Sequence, residues 1–520
     1  MIDARGPATL ASRLRALAPT WVWDAMLSAS AIGIVGLSAT AFAILYGRRF
    51  GDDGLGHAAL ALAVGTGVPQ VACAGLVGGL TRFVAARREH DHAGTRRALA
   101  RGLGAFAALA LVLAFGVLAT APAWSARIGL PSALVAPAAA LAGLECLYFG
   151  IKAALYGLGR VGGYAVLEGV GGAVFVALLI MVLGGLSLPA IAPFIGADVV
   201  MVALGLGALW RWRARGQPDD PTSQRLGRAV GASGAGPDVA ALPSPAPGSM
   251  TRWVATAYLG TAASLARLRL PILVTGAVHA ADAVGQLQAA FALFAPLMLA
   301  PRALELALLP SLATAYGRSD RAALRNRTAA ATAVVAAAMA VLGGSLLLGA
   351  ELVLVVLFGP SFAPAAPALV AVVVGAWLVG LASPSVVALA GADGIGVVSG
   401  AGVAGLAGSA LAWLVAVPAF GPAGAAAGFA VGSVVAAGVP IVVARRRYGV
   451  ALEASAAISR RAIGLLALGG LLLALVQPDG GTGRIVVQAA VAAGYAVAAA
   501  LAARGPLAAI AAAARAGRRG

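Results

Sequence analysis

Residues 259–274 read LGTAASLARLRLPILV. Fourteen of these sixteen positions suit a helix that faces lipid or a packed interior; the exceptions are Arg267 and Arg269, with Pro271 close behind. With its flanks the stretch reaches the about 20 residues that a helix needs to cross a bilayer. A charge at the centre of such a span costs at least ~2.5–3.5 kcal/mol on insertion scales, so ionisable residues there are candidates for a functional site.

The rest of the chain repeats the apolar pattern. Of 520 residues, 61% are hydrophobic and 11% charged, with a mean hydropathy of +0.94. A soluble chain carries roughly 25% charged residues, so this is a polytopic membrane protein. Fourteen spans are expected, at about 25–46, 57–80, 98–121, 133–155, 164–184, 188–210, 253–279, 284–313, 328–350, 365–390, 395–417, 422–443, 461–477 and 485–503. The expected fold is all-α, with two six-helix lobes around a central cavity plus two C-terminal helices. Its divisions are a cytoplasmic segment 1–24, an N-lobe 25–210, a linker 211–252, a C-lobe 253–445, two additional spans in 446–503 and a basic tail 504–520. The linker (RGQPDDPTSQRLGRAVGASGAGPDVAALPSPAPGS at 215–249) is rich in Pro, Gly, Ala and Ser and has little to bury.

The formal charge of +18 is a matter of topology. The arginines gather between alternate spans: Arg82 to Arg101 after the second, Arg211 to Arg252 after the sixth, Arg318 to Arg327 after the eighth, Arg445 to Arg461 after the twelfth. The opposite loops hold only Arg48, Arg49, Arg127 and Arg484. By the positive-inside rule both termini are cytoplasmic, and no nucleic-acid partner is expected. Lys152 is the only lysine, and the excess of Arg, Ala and Gly points to a GC-rich bacterial genome. No cleavable signal peptide is evident, so the first span is expected to act as an uncleaved anchor. Cys73 and Cys146 lie inside apolar runs and read as small packing residues, not as a disulfide or metal site.

An internal repeat supports two lobes. Asp53-Gly54-Leu55-Gly56 opens the second span and Asp282-Ala283-Val284-Gly285 the eighth, at an offset of 229 residues that also carries Arg96 onto Arg325. Parallel repeats of six spans with a site between them are a common transporter plan.

Seven stretches carry a family resemblance. YGRRFGDDGLGHAALA (46–61), GGLTRFVAARRE (78–89) and ALYGLGRVGGYAVLEGVG (154–171) lie in the first half. DAVGQLQAAFAL (282–293), LLPSLATAYGRSD (308–320), LFGPSFAPAAPAL (357–369) and FGPAGAAAGFAVGSVV (420–435) lie in the second. In order and spacing they resemble the polysaccharide transporters, the flippases of undecaprenyl-diphosphate-linked oligosaccharides. That family belongs to the multidrug/oligosaccharidyl-lipid/polysaccharide exporter superfamily, with the multidrug antiporters and the lipid II flippases. The resemblance covers most of residues 25–445. It departs from the family where Leu287 or Gln288 stands in place of a tyrosine. It implies alternating access around a central cavity, in a bacterial inner membrane, with a lipid-linked oligosaccharide and membrane lipids as partners and a polysaccharide polymerase or glycosyltransferases nearby. The related multidrug antiporters place coupling acids in spans one and seven. Here span one has only Asp24 at its edge and span seven has arginines, which argues against export of cationic drugs.

Guanidinium offers a planar fork of donors suited to phosphate and stays charged at ordinary pH. Arg267, Arg269 and Arg302 are therefore the candidate cavity cations. Arg267 and Arg269 project about 200° apart on an ideal helix, so both face one cavity only if Pro271 bends or unwinds the segment. The alternative for either is an ion pair with a neighbouring span, and Arg302 has Glu305 one turn away. Asp198, Glu145 and Glu305 are the candidate coupling acids, with helix–helix hydrogen bonding as the plainer role. Gly157–Gly162 and Gly400–Gly405 match GxGxxG, but neither follows a strand of a βαβ unit, and small-residue helix packing accounts for both. Glu89-His90-Asp91-His92 reads as a solvated loop. No cofactor and no catalytic group are expected. A multidrug-type antiporter or a lipid II flippase is the alternative function, and a membrane polymerase or ligase is remote because the outer loops are short.

Overall fold

The computed structural model describes residues 20–85, 87–88, 91–214, 247–392, 394–476 and 481–516, and every regular element among them is helical. Most of the expected N-terminal segment, most of the linker, the end of the basic tail, and Glu89 and His90 lie outside the described residues. The first half comprises α1 (Thr20–Leu62), a π-helical turn (Ala63–Gly67), α2 (Val68–Ala72), α3 (Ala74–Ala85), α4 (His92–Trp124), α5 (Ser132–Gly157), α6 (Val161–Leu183) and α7 (Ala192–Ala214). The second comprises α8 (Pro247–Val278), α9 (Ala281–Ala292), α10 (Phe294–Leu297), α11 (Leu299–Gly317), α12 (Arg321–Leu348), α13 (Ala350–Phe358), a 3₁₀ turn (Pro360–Ala365), α14 (Ala366–Gly391) and α15 (Ile395–Tyr448). The chain ends with α16 (Glu453–Leu475) and α17 (Gly481–Ala516).

Eleven helices among the described residues are long and apolar enough to cross a membrane, or twelve with the bent pair Ala281–Leu297 and Leu299–Glu305. Two of them are each two helices in series. α1 breaks at Gly51 (φ 74, ψ −173) and α15 at Gly421 (φ 53, ψ −126), backbone conformations that glycine adopts most readily. Dividing both at their glycines brings twelve to fourteen.

The second and eighth spans are not the straight helices their composition predicts. The second passes through the π turn, then α2 with Pro69, and is interrupted at Cys73 before α3. The eighth is α9, α10 and α11, bent by 41°. Proline has no N–H for the carbonyl four residues back. Pro296 in α10 therefore frees the Ala292 carbonyl, which instead accepts a hydrogen bond from Thr40 Oγ1 of α1 at 2.9 Å.

The repeat has a structural counterpart. Asp91 caps α4 by accepting from the Gly94 N–H at 2.7 Å, and Asp320 caps α12 by accepting from the Ala323 N–H at 2.8 Å. Residues 91 and 320 are 229 apart. The helix starts that follow Gly51 and Ala280 cross where two glycines allow it. A Cβ at Gly56 would sit 2.6 Å from the Ala281 carbonyl carbon, and one at Gly285 would sit 2.7 Å from that of Asp52. Adding 229 to 56 and 52 gives 285 and 281, so each contact is the other's two-fold image, as at an isologous interface.

Apolar residues cover the outside as well as the core. Phe115, Leu414 and Phe420 are 67%, 74% and 69% exposed, the pattern of helices whose outer surface faces lipid. α17 docks on α12, where the Tyr495 hydroxyl donates to the Ala340 carbonyl at 2.9 Å.

Candidate functional site

A cavity of about 590 Å³ lies among α1, the broken second span, α5, α6, α7, α8 and the broken eighth span. Four helices present one face each, and the polar side chains follow the helical period. On α5 the face is Leu141, Glu145, Tyr148 and Lys152; on α6 it is Tyr164, Glu168, Gly171 and Phe175. On α7, Asp198 follows Phe194 by one turn, and on α8 the face is Leu265, Leu268, Arg269 and Ile272. Arg302 enters from α11 beyond the bend of the eighth span.

The structure separates the two arginines of the opening stretch. α8 runs as a helix through Pro271 without unwinding, so their side chains diverge. Arg269 lines the cavity, and its Nε donates to Gln70 Oε1 at 3.1 Å. The contact crosses from α8 to α2, and Gly67 gives the Arg269 stem room, since a Cβ there would sit 3.2 Å from it. Arg267 points away from the cavity and is 4% exposed. Its guanidinium donates to Ser433 Oγ and stands 5.1 Å from the Phe429 ring centroid, both on α15. Arg267 thus sits at a helix–helix contact, where cation–π and hydrogen-bond terms offset part of its burial cost.

The candidate acids also divide. Glu145 and Asp198 line the cavity as neighbours, and Glu145 lies within electrostatic reach of Lys152 and Arg269. Asp198 is buried, and its Oδ2 has no hydrogen-bond partner among the described residues. Glu305 is outside the cavity lining, with Arg302 as its charged neighbour.

Lys152, Glu168 and Tyr148 complete the polar wall and were not among the candidates chosen from sequence. The Tyr148 hydroxyl donates to Glu168 Oε1, and Lys152 Nζ stands 4.7 Å from the Tyr164 ring centroid. Their signal was the spacing: 145, 148 and 152 recur at three- and four-residue steps, as do 164 and 168. The cavity is polarised. The first six spans contribute three carboxyl groups and Lys152, and spans seven and eight contribute Arg269, Arg302 and Gln288. Phe149, Phe194, Phe291 and Phe294 add aromatic surface.

The remaining sequence motifs are structural. Gly157–Gly162 is the turn between α5 and α6, with Gly159 at φ 72. In Gly400–Gly405, a Cβ at Gly402 would sit 2.8 Å from the Gly260 carbonyl oxygen, which marks close helix packing.

No family model and no curated protein sequence matches this chain. Solved structures do. Lipid II flippase MurJ in an inward closed conformation superposes with a TM-score of 0.63 at 11% identity, covering 91% of this chain and 97% of that one. An inward-facing multidrug resistance MATE family transporter of the MOP superfamily gives 0.58 at 15% identity, covering 82% and 98%. A MOP superfamily transporter from Pyrococcus furiosus, described as having reverse polarity of its binding pocket, gives 0.58 at 16% identity, covering 82% and 95%. The chain has the fold of the MOP superfamily transporters and flippases.

Proposed function

We propose that this MOP-fold membrane protein is a flippase for an undecaprenyl-diphosphate-linked oligosaccharide, working by alternating access in a bacterial inner membrane with both termini in the cytoplasm. The observation that carries the reading is the polarised cavity. Arg269 and Arg302 offer two guanidinium groups to a diphosphate, the ligand that suits their fork of donors. The opposite wall offers Glu145, Glu168 and Asp198 as acceptors for sugar hydroxyls, with aromatic rings as stacking surface. The prenyl chain stays in lipid while headgroup and sugars occupy the cavity. A polymerase or glycosyltransferases that supply or consume the lipid-linked sugar are the partners this function calls for.

The test uses purified protein in liposomes holding a fluorescent undecaprenyl-diphosphate oligosaccharide, with translocation read as loss of protection from a membrane-impermeant glycosidase. Wild type is expected to translocate the lipid, and Arg269→Ala to bind it about 10- to 150-fold more weakly, the value of one hydrogen bond to a charged group at about 1.5–3 kcal/mol. Equal affinity in the variant would sink the reading. The likeness to MurJ makes lipid II the second cargo to test, and faster movement of lipid II than of the oligosaccharide lipid would replace the first cargo with the second.

A further inference from the structure

We propose that Cys73 and Cys146 form a redox-modification site, a paired dithiol that a small peroxide converts to a disulfide tying the second transmembrane span to the fourth. The chain has two cysteines in 520 residues, 73 positions apart, and the fold brings their sulfurs to 3.4 Å. Both are buried as free thiols. A disulfide needs about 2.05 Å between sulfurs, so they must approach by a little over 1 Å. Cys73 stands where that movement is easiest. It is the joint between α2 and α3, and its carbonyl takes the Leu76 and Val77 N–H groups as the chain turns.

The two thiols differ in access. Cys73 lines the cavity, the side from which a small peroxide enters, and is itself 1% exposed. Cys146 lies behind it and donates weakly to the Phe106 carbonyl at 3.5 Å. The Cys73 sulfur attacks one peroxide oxygen, the O–O bond breaks, and the products are a sulfenic acid and water. The Cys146 sulfur then attacks the sulfenic sulfur and displaces its oxygen as a second water. Two thiols and one peroxide become one disulfide and two waters, with two electrons passing from sulfur to oxygen.

The tie has a mechanical consequence. Through Gly75, whose absent Cβ would sit 2.7 Å from Tyr258 Cβ, α3 packs on α8 of the second half. Through Gly157, where a Cβ would meet Val84 Cβ at 2.7 Å, the same helix packs on the end of α5. The segment therefore bridges both halves, and a disulfide to α5 fixes its joint at Cys73.

The experiment treats the intact protein in lipid nanodiscs with hydrogen peroxide, denatures it, and counts free thiols by maleimide–polyethylene glycol gel shift. Wild type is expected to lose both increments and recover both with dithiothreitol, and digestion should yield a peptide linked from 73 to 146 that is 2 Da lighter than the two thiols. Cys73→Ser and Cys146→Ser should each keep no dithiothreitol-sensitive intramolecular link. Oxidised wild type should exchange backbone hydrogens in residues 63–77 more slowly than reduced protein, and the Cys146→Ser variant should show no such change. Two thiols that stay alkylatable, a link between two chains, or unchanged exchange across 63–77 in a fully linked sample each overturn the proposal.

Discussion

The crossing of Gly56 and Gly285 makes the sharpest demand on the sequence. In Gly56→Ala the new methyl lies 2.6 Å from the Ala281 carbonyl carbon, and closer still to its oxygen. Ordinary contact between carbons is about 3.5–4.0 Å, so the two helix starts must part by about 1 Å or more. The obstacle is backbone at a helix start, which cannot rotate away as a side chain could. Overpacking of this kind costs about 1–3 kcal/mol, a shift of about 5- to 150-fold in the ratio of the closed to the parted arrangement. The exposed residues Asp53 and Asp282 flank the crossing and suit spin labels through Asp53→Cys and Asp282→Cys in a Cys73→Ser, Cys146→Ser background. Double electron–electron resonance should show a longer 53–282 distance gaining population in Gly56→Ala. Gly285→Ala strikes the two-fold image of the same contact and should shift it equally. The double variant should fall short of the sum, because one parting relieves both clashes. An unchanged distance distribution in either single variant, with the protein folded, refutes the reasoning.

Three other outcomes follow from the site and the caps. Arg267→Ala should lower the thermal midpoint and leave binding of the lipid-linked sugar alone, since it strips Ser433 and Phe429 of a buried partner; Arg269→Ala should do the reverse, and calorimetry of both variants with and without ligand separates them. The combined Glu145→Gln, Asp198→Asn change should weaken binding of the oligosaccharide lipid about tenfold or more while undecaprenyl diphosphate without sugars binds as before, because carboxylates serve the hydroxyls and guanidiniums the phosphates. Equal losses for the two ligands in filter binding would contradict that division of labour. Asp91→Ala and Asp320→Ala should each destabilise by about 1 kcal/mol, the usual worth of a helix cap, and a denaturation series in which only one of them responds would break the equivalence of the repeats.

Span number was legible because apolar length is a one-dimensional property. Two glycines, Gly51 and Gly421, sit at the breaks in what would otherwise be continuous helices, and composition placed a loop at both. The caps at Asp91 and Asp320 were legible only in outline, through the offset linking Arg96 to Arg325. The breaks in the second and eighth spans were missed because a π turn or a 41° bend leaves hydropathy unchanged. Which arginine lines the cavity was also beyond reach. Spacing showed that Arg267 and Arg269 diverge, but a helix that is apolar all round carries no stripe to say which face turns inward. That depended on the partner helices, Gln70 on one side and Ser433 with Phe429 on the other. Lys152 was within reach, four and seven residues from Tyr148 and Glu145 on a single helix, a pattern that shows only when the three are taken together.

The same offset finally says something about the ligand. Gly36 and Leu265, Thr40 and Arg269, Thr66 and Ala295, and Cys73 and Arg302 are pairs 229 apart, and all eight residues line the cavity. The scaffold around the cavity is therefore two-fold related where α1 and the second span face α8 and the eighth. Its charges are not. Neutral Thr40 and Cys73 stand where the second half has Arg269 and Arg302. Beyond the third span the equivalent helices stand 234 apart, Ser132–Gly157 against Ala366–Gly391, so Glu145, Lys152 and Glu168 map onto Val379, Val386 and Gly402, none of which borders the cavity. A symmetric cargo would be served by keeping the repeats alike. Charge on one wall and acceptors on the other fit a cargo with two chemically different ends, held in one orientation. A diphosphate joined to a sugar offers an anionic end to the guanidiniums and a hydroxyl-rich end to the acceptors, whereas an amphipathic cation has no anionic end for Arg269 and Arg302. The asymmetry is thus a stronger argument for the cargo than either arginine alone. It predicts that moving a cation across the pseudo-axis, by Thr40→Arg with Arg269→Thr, will lose the oligosaccharide lipid in protein shown folded by circular dichroism, Thr40 also being the partner of the Ala292 carbonyl. Binding retained by that exchanged pair would show that the cavity reads net charge and not orientation.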